Sequence, residues 1–152
     1  MCGAAMISTA SGTILEVADQ IGQSLASLPD WEERFGAIME TGKLLAPFPE
    51  EHRRDDLLIK GCQSRVWLHA QMVDGRIHFD ADSDALIVKG LVALVIRIMQ
   101  DRTPQEILEA PKDIPERLGL AQHLSQNRSS GLTSMLKQIR LYAVALSLRT
   151  SS

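Results

Sequence analysis

The chain has 152 residues, 45% of them hydrophobic, which suits one globular domain around one core. A net charge of −3 and an aromatic content of 4% exclude the basic stripe and the base-stacking platform of a nucleic-acid binder. Two cysteines, Cys2 and Cys62, are too few for a secreted disulfide framework, residues 1–5 lack the charged and long apolar regions of a signal peptide, and the most apolar stretch, 85–99, is short for a bilayer and carries Lys89 and Arg97; the expectation is a cytoplasmic protein with reduced thiols and neither a nucleic-acid nor a membrane partner.

Residues 1–12 are small and polar with little periodicity and read as a flexible leader, leaving 13–150 as a single domain. From Thr13 to Leu28 the apolar residues Ile14, Val17, Ala18, Ile21, Leu25 and Leu28 recur at helical spacing. Pro29 interrupts, and Asp30 caps a second helix over about 31–45 with Trp31, Phe35, Ile38, Met39 and Leu45 as its buried stripe. Pro47 and Pro49 stop that helix, and the charged run 50–56 reads as a solvated loop.

Three strands are expected next. Leu57-Leu58-Ile59-Lys60 forms the first, and Gly61-Cys62-Gln63-Ser64 turns into the second, 65–73. Asp74-Gly75 joins it to the third, 76–82, as a two-residue type I′ hairpin. That turn pairs Val73 with Arg76, so Met72 faces Ile77, Ala70 faces Phe79 and Leu68 faces Ala81, all six apolar and on one side. The other side carries Trp67, His69, Gln71, Val73, Arg76, His78, Asp80 and Asp82.

Asp82-Ser83-Asp84 supplies caps and first-turn carboxylates for a central buried helix over about 85–100. Thr103-Pro104-Gln105-Glu106 opens a short helix through a capping box with proline at its first position. Short turns follow at 114–118 and 120–124. Ser129 or Ser130 caps the last helix, whose stripe is Leu132, Met135, Leu136, Ile139, Ala143 and Leu146. The fold class is α+β: a small three-stranded antiparallel sheet with helices on one face and at its ends.

Cys62 is the residue most suited to chemistry. A cysteine is often only a small buried hydrophobe. Here Gly61 lets the backbone turn sharply, Gln63 and Ser64 are polar, and Arg65 is near enough in sequence to favour a thiolate over the ordinary thiol. No phosphate loop, dinucleotide fingerprint, HExxH or nucleophile elbow occurs.

Four ordered motifs carry a resemblance. Gly61-Cys62-Gln63-Ser64-Arg65-Val66-Trp67-Leu68 resembles the cysteine motif of the SufE/CsdE family of sulfur acceptors; so do Asp82-Ser83-Asp84-Ala85-Leu86-Ile87-Val88-Lys89-Gly90-Leu91, Leu118-Gly119-Leu120 and Arg128-Ser129-Ser130-Gly131-Leu132. Trp31-Glu32-Glu33-Arg34-Phe35 resembles the family's early helix, and the likeness runs from about Leu28 to Leu141. It implies a SufE/IscU-like fold and a carrier that takes sulfane sulfur from the persulfide of a cysteine desulfurase (SufS/CsdA-like), stimulates that enzyme, and passes the sulfur to a SufBCD-like iron–sulfur scaffold or another acceptor. Pyridoxal phosphate belongs to the desulfurase, so this chain is expected to bind no cofactor and no metal.

By the same resemblance Cys62 is the acceptor. Arg128 matches a family arginine that orients the cysteine loop or supports the thiolate, beside the simpler reading of a helix-start salt bridge. Asp84 matches a family position, beside the simpler reading of macrodipole stabilisation. Asn127 stands where the family usually has serine. On the residues alone, other readings stay open. His69, Asp80 and His78 share a strand face that could ligate a metal or hold a surface ion pair. His69 or His123 could approach Cys62 in a stand-alone thiol-dependent hydrolase or sulfurtransferase. Cys2 reads as a spectator.

Overall fold

The computed structural model describes residues 12–45, 47–59, 65–120 and 126–150, with the backbone alone for 126–130 and 149–150. Thr13 begins the first helix, α1 (Ile14–Ala26), with a reciprocal cap: its hydroxyl accepts the Glu16 N–H, and the Glu16 carboxylate accepts the Thr13 N–H. Ile14, Val17, Ala18, Ile21 and Leu25 are buried, as the helical spacing predicts. Of the expected leader only Gly12 is described, and its carbonyl accepts a hydrogen bond from Arg102 Nη1 at 2.6 Å.

Asp30 caps α2 (Trp31–Gly42), its carboxylate accepting the Glu33 N–H at 2.9 Å. The buried face differs from the expected stripe. Met39 is exposed, while Ala37, Ile38, Thr41 and Gly42 are buried. The cause is a backbone-to-backbone crossing with α3 (Leu86–Met99): a Cβ on Gly90 would lie 2.3 Å from the Ile38 carbonyl oxygen, and one on Gly42 would lie 2.8 Å from the Gly90 nitrogen. Two glycines let the helices touch at Gly42 and Gly90, and that contact turns Met39 outward.

β1 (Val66–Val73) and β2 (Arg76–Ser83) form the sheet. Asp74 and Gly75 have φ of 52° and 80°, the positive pair that a type I′ turn requires. Pairing runs from Val73↔Arg76 to Val66↔Ser83, the register the turn predicts. Leu68, Ile77, Phe79 and Ala81 are buried on the inner face, with Ala70 and Met72 packed partly against them.

The sheet has two strands rather than the expected three. Residues 55–57 close a 3-10 turn instead, so only Leu58 and Ile59 run alongside β1, through a single Leu58↔Trp67 bridge and an Ile59 N–H to Val66 carbonyl bond of 2.9 Å. Lys60 lies outside the described residues. The far edge of β2 is also occupied. Ile77 exchanges backbone bonds with Asp101 and Arg102, and the Gln100 amide both accepts from and donates to the Phe79 backbone. Both edges are thus partly covered, which removes pairing sites for other chains.

α3 is the centre of the core and meets α1, α2, α6 (Gln126–Thr150) and β2. Leu94, Val95 and Ile98 on α3 are fully buried, as are Ile139 and Ala143 on α6. Each fully buried Leu or Ile contributes about 1.5–3 kcal/mol. α4 (Pro104–Leu108) opens on the expected Thr103/Glu106 capping box, and α5 (Ile114–Arg117) follows. The turn expected at 120–124 falls, beyond Leu120, outside the described residues.

α6 starts earlier than expected: Ser129 and Ser130 lie inside it rather than capping it. Serine disfavours a helix interior by less than about 0.7 kcal/mol, too little to stop a helix that continues upstream. The predicted stripe of this helix, Leu132, Met135, Ile139, Ala143 and Leu146, is buried, and Leu136 is partly so.

Candidate functional site

The segment bearing Cys62, residues 60–64, lies outside the described residues, but both of its anchors are described. Upstream, Ile59 is buried and bonded to Val66 at the start of β1. Downstream, Arg65 makes two bonds to one residue: its N–H donates to Asp84 Oδ1 at 3.1 Å, and its carbonyl accepts the Asp84 N–H at 3.2 Å. Both anchors therefore lie at the same end of the hairpin.

Asp84 does not cap α3. The capping position is Ala85, which makes no side-chain cap bond, and the Asp84 carboxylate holds the chain emerging from the cysteine segment instead. Arg128 falls in the first turn of α6, where only the backbone is described. Cys2, Cys62 and His123 lie outside the described residues, so of Cys62, Arg128 and Asp84 only Asp84 is placed by a side-chain contact.

A cleft of about 400 Å³ opens beside Ile59. Leu57, Leu58 and Ile59 form one wall; Lys137, Leu141 and Tyr142 of α6 form the other. The Tyr142 hydroxyl donates to the Leu68 carbonyl at 3.2 Å, which fixes α6 against β1, and burial pushes the phenol pKa up. Arg128 lies nine residues before Lys137 on α6, about 13–14 Å along the helix axis.

The outer face of the hairpin carries contacts that the sequence does not predict. Phe48 covers it together with His52 and Arg53, which belong to the charged run expected to be solvated. The Arg53 guanidinium lies 5.2 Å from the Phe48 ring centre and 5.0 Å from that of Trp67. Its Nη2 meets Asp82 Oδ2 at 2.6 Å, and Lys89 Nζ approaches the other Asp82 oxygen at 3.3 Å. Burial alone would raise the Asp82 carboxyl; hydrogen bonds from Arg53, the Ser83 backbone and Lys89 outweigh it and hold it below the ordinary carboxylate range. The nearest signal in the sequence is Asp82 opposite Trp67, a carboxylate beside an indole, which needs a cation to be stable when covered.

The histidines come together as the register implies, without close ligation. His69 Nδ1 is 3.9 Å from Asp80 Oδ2 and His78 Nε2 is 3.7 Å from Asp80 Oδ1, both beyond hydrogen-bond length. His52, part of the charged run, stacks on His69 with ring centres 3.8 Å apart. Among the described residues no group of three or more His, Cys, Asp or Glu is arranged to hold a metal.

A family model described as the SufE Fe-S metabolism associated domain matches residues 19–143. The chain belongs to the SufE family. The match spans both anchors of the cysteine segment, Asp84 and Arg128. A solution structure of a hypothetical protein from Thermus thermophilus shares the fold seen here, with a TM-score of 0.71, 22% identity, and coverage of 84% of this chain and 93% of that one. SufE membership associates the chain with iron–sulfur metabolism, and no helix among the described residues is long and apolar enough to cross a membrane.

Proposed function

We propose that this chain is a persulfide carrier acting through Cys62. The thiolate of Cys62 attacks the outer sulfur of a desulfurase persulfide. The bond between the two desulfurase sulfurs breaks, the desulfurase leaves as a thiolate, and Cys62 becomes Cys62–S–SH. A second thiolate, on an iron–sulfur assembly scaffold of the SufBCD kind or on another acceptor, repeats the exchange and restores Cys62. Pyridoxal phosphate chemistry stays with the partner, a SufS- or CsdA-like cysteine desulfurase in the cytoplasm, whose turnover this single-domain carrier (13–150) stimulates by removing sulfur.

The observation that carries the reading is the SufE match over 19–143, which includes Gly61-Cys62 and the residue that anchors the chain leaving it, Asp84. In this reading Asp84 sets where the segment emerges, and Arg128 supports the thiolate. The test mixes the protein with a cysteine desulfurase, pyridoxal phosphate and L-cysteine and weighs the intact chain. Addition of one sulfur, about 32 Da, confined to Cys62 is expected, and Cys62→Ser abolishes it. No addition beside a competent desulfurase, or the same addition in Cys62→Ser, overturns the reading. Turnover of a small substrate without any desulfurase would favour a stand-alone thiol enzyme.

A further inference from the structure

We propose that residues 48–57 form a strap across the outer face of the hairpin that is held at neutral pH and released on mild acidification through the stacked His52–His69 pair.

The strap has two attachments of different chemistry. One is Arg53, laid over Phe48 and Trp67 and paired with Asp82. Its charges persist across the physiological range, because an arginine does not deprotonate there and Asp82 is held ionised by its partners. The other is the imidazole pair. The rings are 3.8 Å apart and tilted by only 12°, so they stack face to face. The Nδ1 atoms of both rings are buried and make no hydrogen bond among the described residues. This contact suits two neutral rings. It cannot hold two cations, and a single proton at either Nδ1 has no acceptor within bonding distance.

The surroundings are mixed in charge. Asp80 on β2 faces His69 at 3.9 Å, and Glu51 on the strap also favours a proton there. Arg54 and His52 on the strap oppose it, and burial opposes it most, so the His69 pKa lies below that of an ordinary histidine. The Asp80 charge is shared: His78 approaches its other oxygen at 3.7 Å and also reaches Asp101 at 3.3 Å. His78 therefore competes with His69 for the Asp80 carboxylate. Relief on acidification therefore comes through separation of the rings, which lets each protonated imidazole reach water. The strap then pivots on Arg53, and Trp67 loses part of the cover that leaves it 8% exposed.

The strap continues through the 3-10 turn at 55–57 into the Leu58↔Trp67 bridge, just before the cysteine segment. A consequence for sulfur transfer rests on the carrier reading; the strap itself does not, and its test needs no desulfurase. The full-length chain carrying Trp31→Phe has Trp67 as its only tryptophan. Its emission maximum and acrylamide quenching are followed from pH 8 to pH 5, with far-UV circular dichroism alongside. A red shift and increased quenching are expected as the pH falls below about 6.5, with the helix signal unchanged. His52→Phe keeps an aromatic ring on His69 but cannot titrate, and should abolish the shift; His69→Phe should do the same if the first variant folds poorly. Flat Trp67 emission over this range overturns the proposal. So does an equal transition in a folded His52→Phe or His69→Phe chain, or loss of the helix signal over the same range as the shift.

Discussion

Arg53 Nη2 stands 2.6 Å from Asp82 Oδ2, across twenty-nine residues of chain. The pair ties the segment before Cys62 to the strand end that also holds the segment after it, since Asp84 lies two residues beyond Asp82 and bonds Arg65. One short stretch, 82–84, thus secures both flanks of the candidate site.

Arg53→Ala should destabilise the fold by about 2 kcal/mol, because Asp82 loses a charged hydrogen bond in a largely covered position and keeps only Lys89 and the Ser83 backbone. Arg53→Lys should recover only part of this, as an ammonium lacks the flat guanidinium that lies over both rings. Urea unfolding measures both. Arg53→Ala unfolding at the wild-type midpoint would show that the pair contributes nothing.

Burial, reinforced by His52, lowers the His69 pKa in the folded chain. The unfolded chain therefore takes up this proton first as the pH falls. The resulting stabilisation is complete above about pH 6.5 and declines as the pH drops through the depressed folded value. Between pH 7.5 and 5.5 the urea midpoint of wild type should fall, and that of His69→Gln should fall less. Parallel declines would assign the pH dependence to other groups.

Gly75→Val should cost about 1–3 kcal/mol, because valine resists the 80° φ of the turn. Nothing lies within 4 Å of a Cβ placed there, so the cost is in the backbone and not in a clash. Gly75→Asn, which tolerates positive φ, should cost less. Equal melting temperatures for the two variants would contradict the turn assignment.

The glycines of α2 and α3 should respond with opposite signs. Gly90→Ala drives a methyl into the Ile38 carbonyl and should destabilise by about 2–3 kcal/mol. Gly36→Ala meets no atom within 4 Å and should stabilise α2 by up to about 1 kcal/mol. Thermal melts of the two single variants decide this; a neutral Gly90→Ala would mean that the helices can separate without cost.

Asp84→Ala should slow sulfur loading of Cys62 more than Asp84→Asn, because asparagine retains an oxygen for the Arg65 N–H. Timed intact-mass measurements with a desulfurase compare the rates. An Asp84→Asn chain slowed as much as Asp84→Ala would mean that the negative charge, and not the hydrogen bond, matters at this position.

Much of the fold is legible because it is written locally. Asp74-Gly75 and the alternation from Leu68 to Ala81 specify one register, and Thr103 with Glu106 specifies one helix start. The departures share a different origin. Leu57 to Lys60 has the composition of a strand, but the 55–57 turn leaves only a bridge. Met39 has the spacing of a core residue, but the Gly42–Gly90 contact rotates it outward.

At the site, Cys62 as the thiol to consider, the family motifs around it and the hairpin that follows can all be read from the order of residues alone. That Asp84 grips Arg65 instead of capping α3 cannot, nor that His52 and Arg53 leave a charged run to cover Trp67, His69 and Asp82; these emerge with the packed chain. The difference is one of range. Turn chemistry and side-chain period act over a few residues and are carried in the local sequence. A guanidinium finds its carboxylate twenty-nine residues away only after the whole chain has chosen its path.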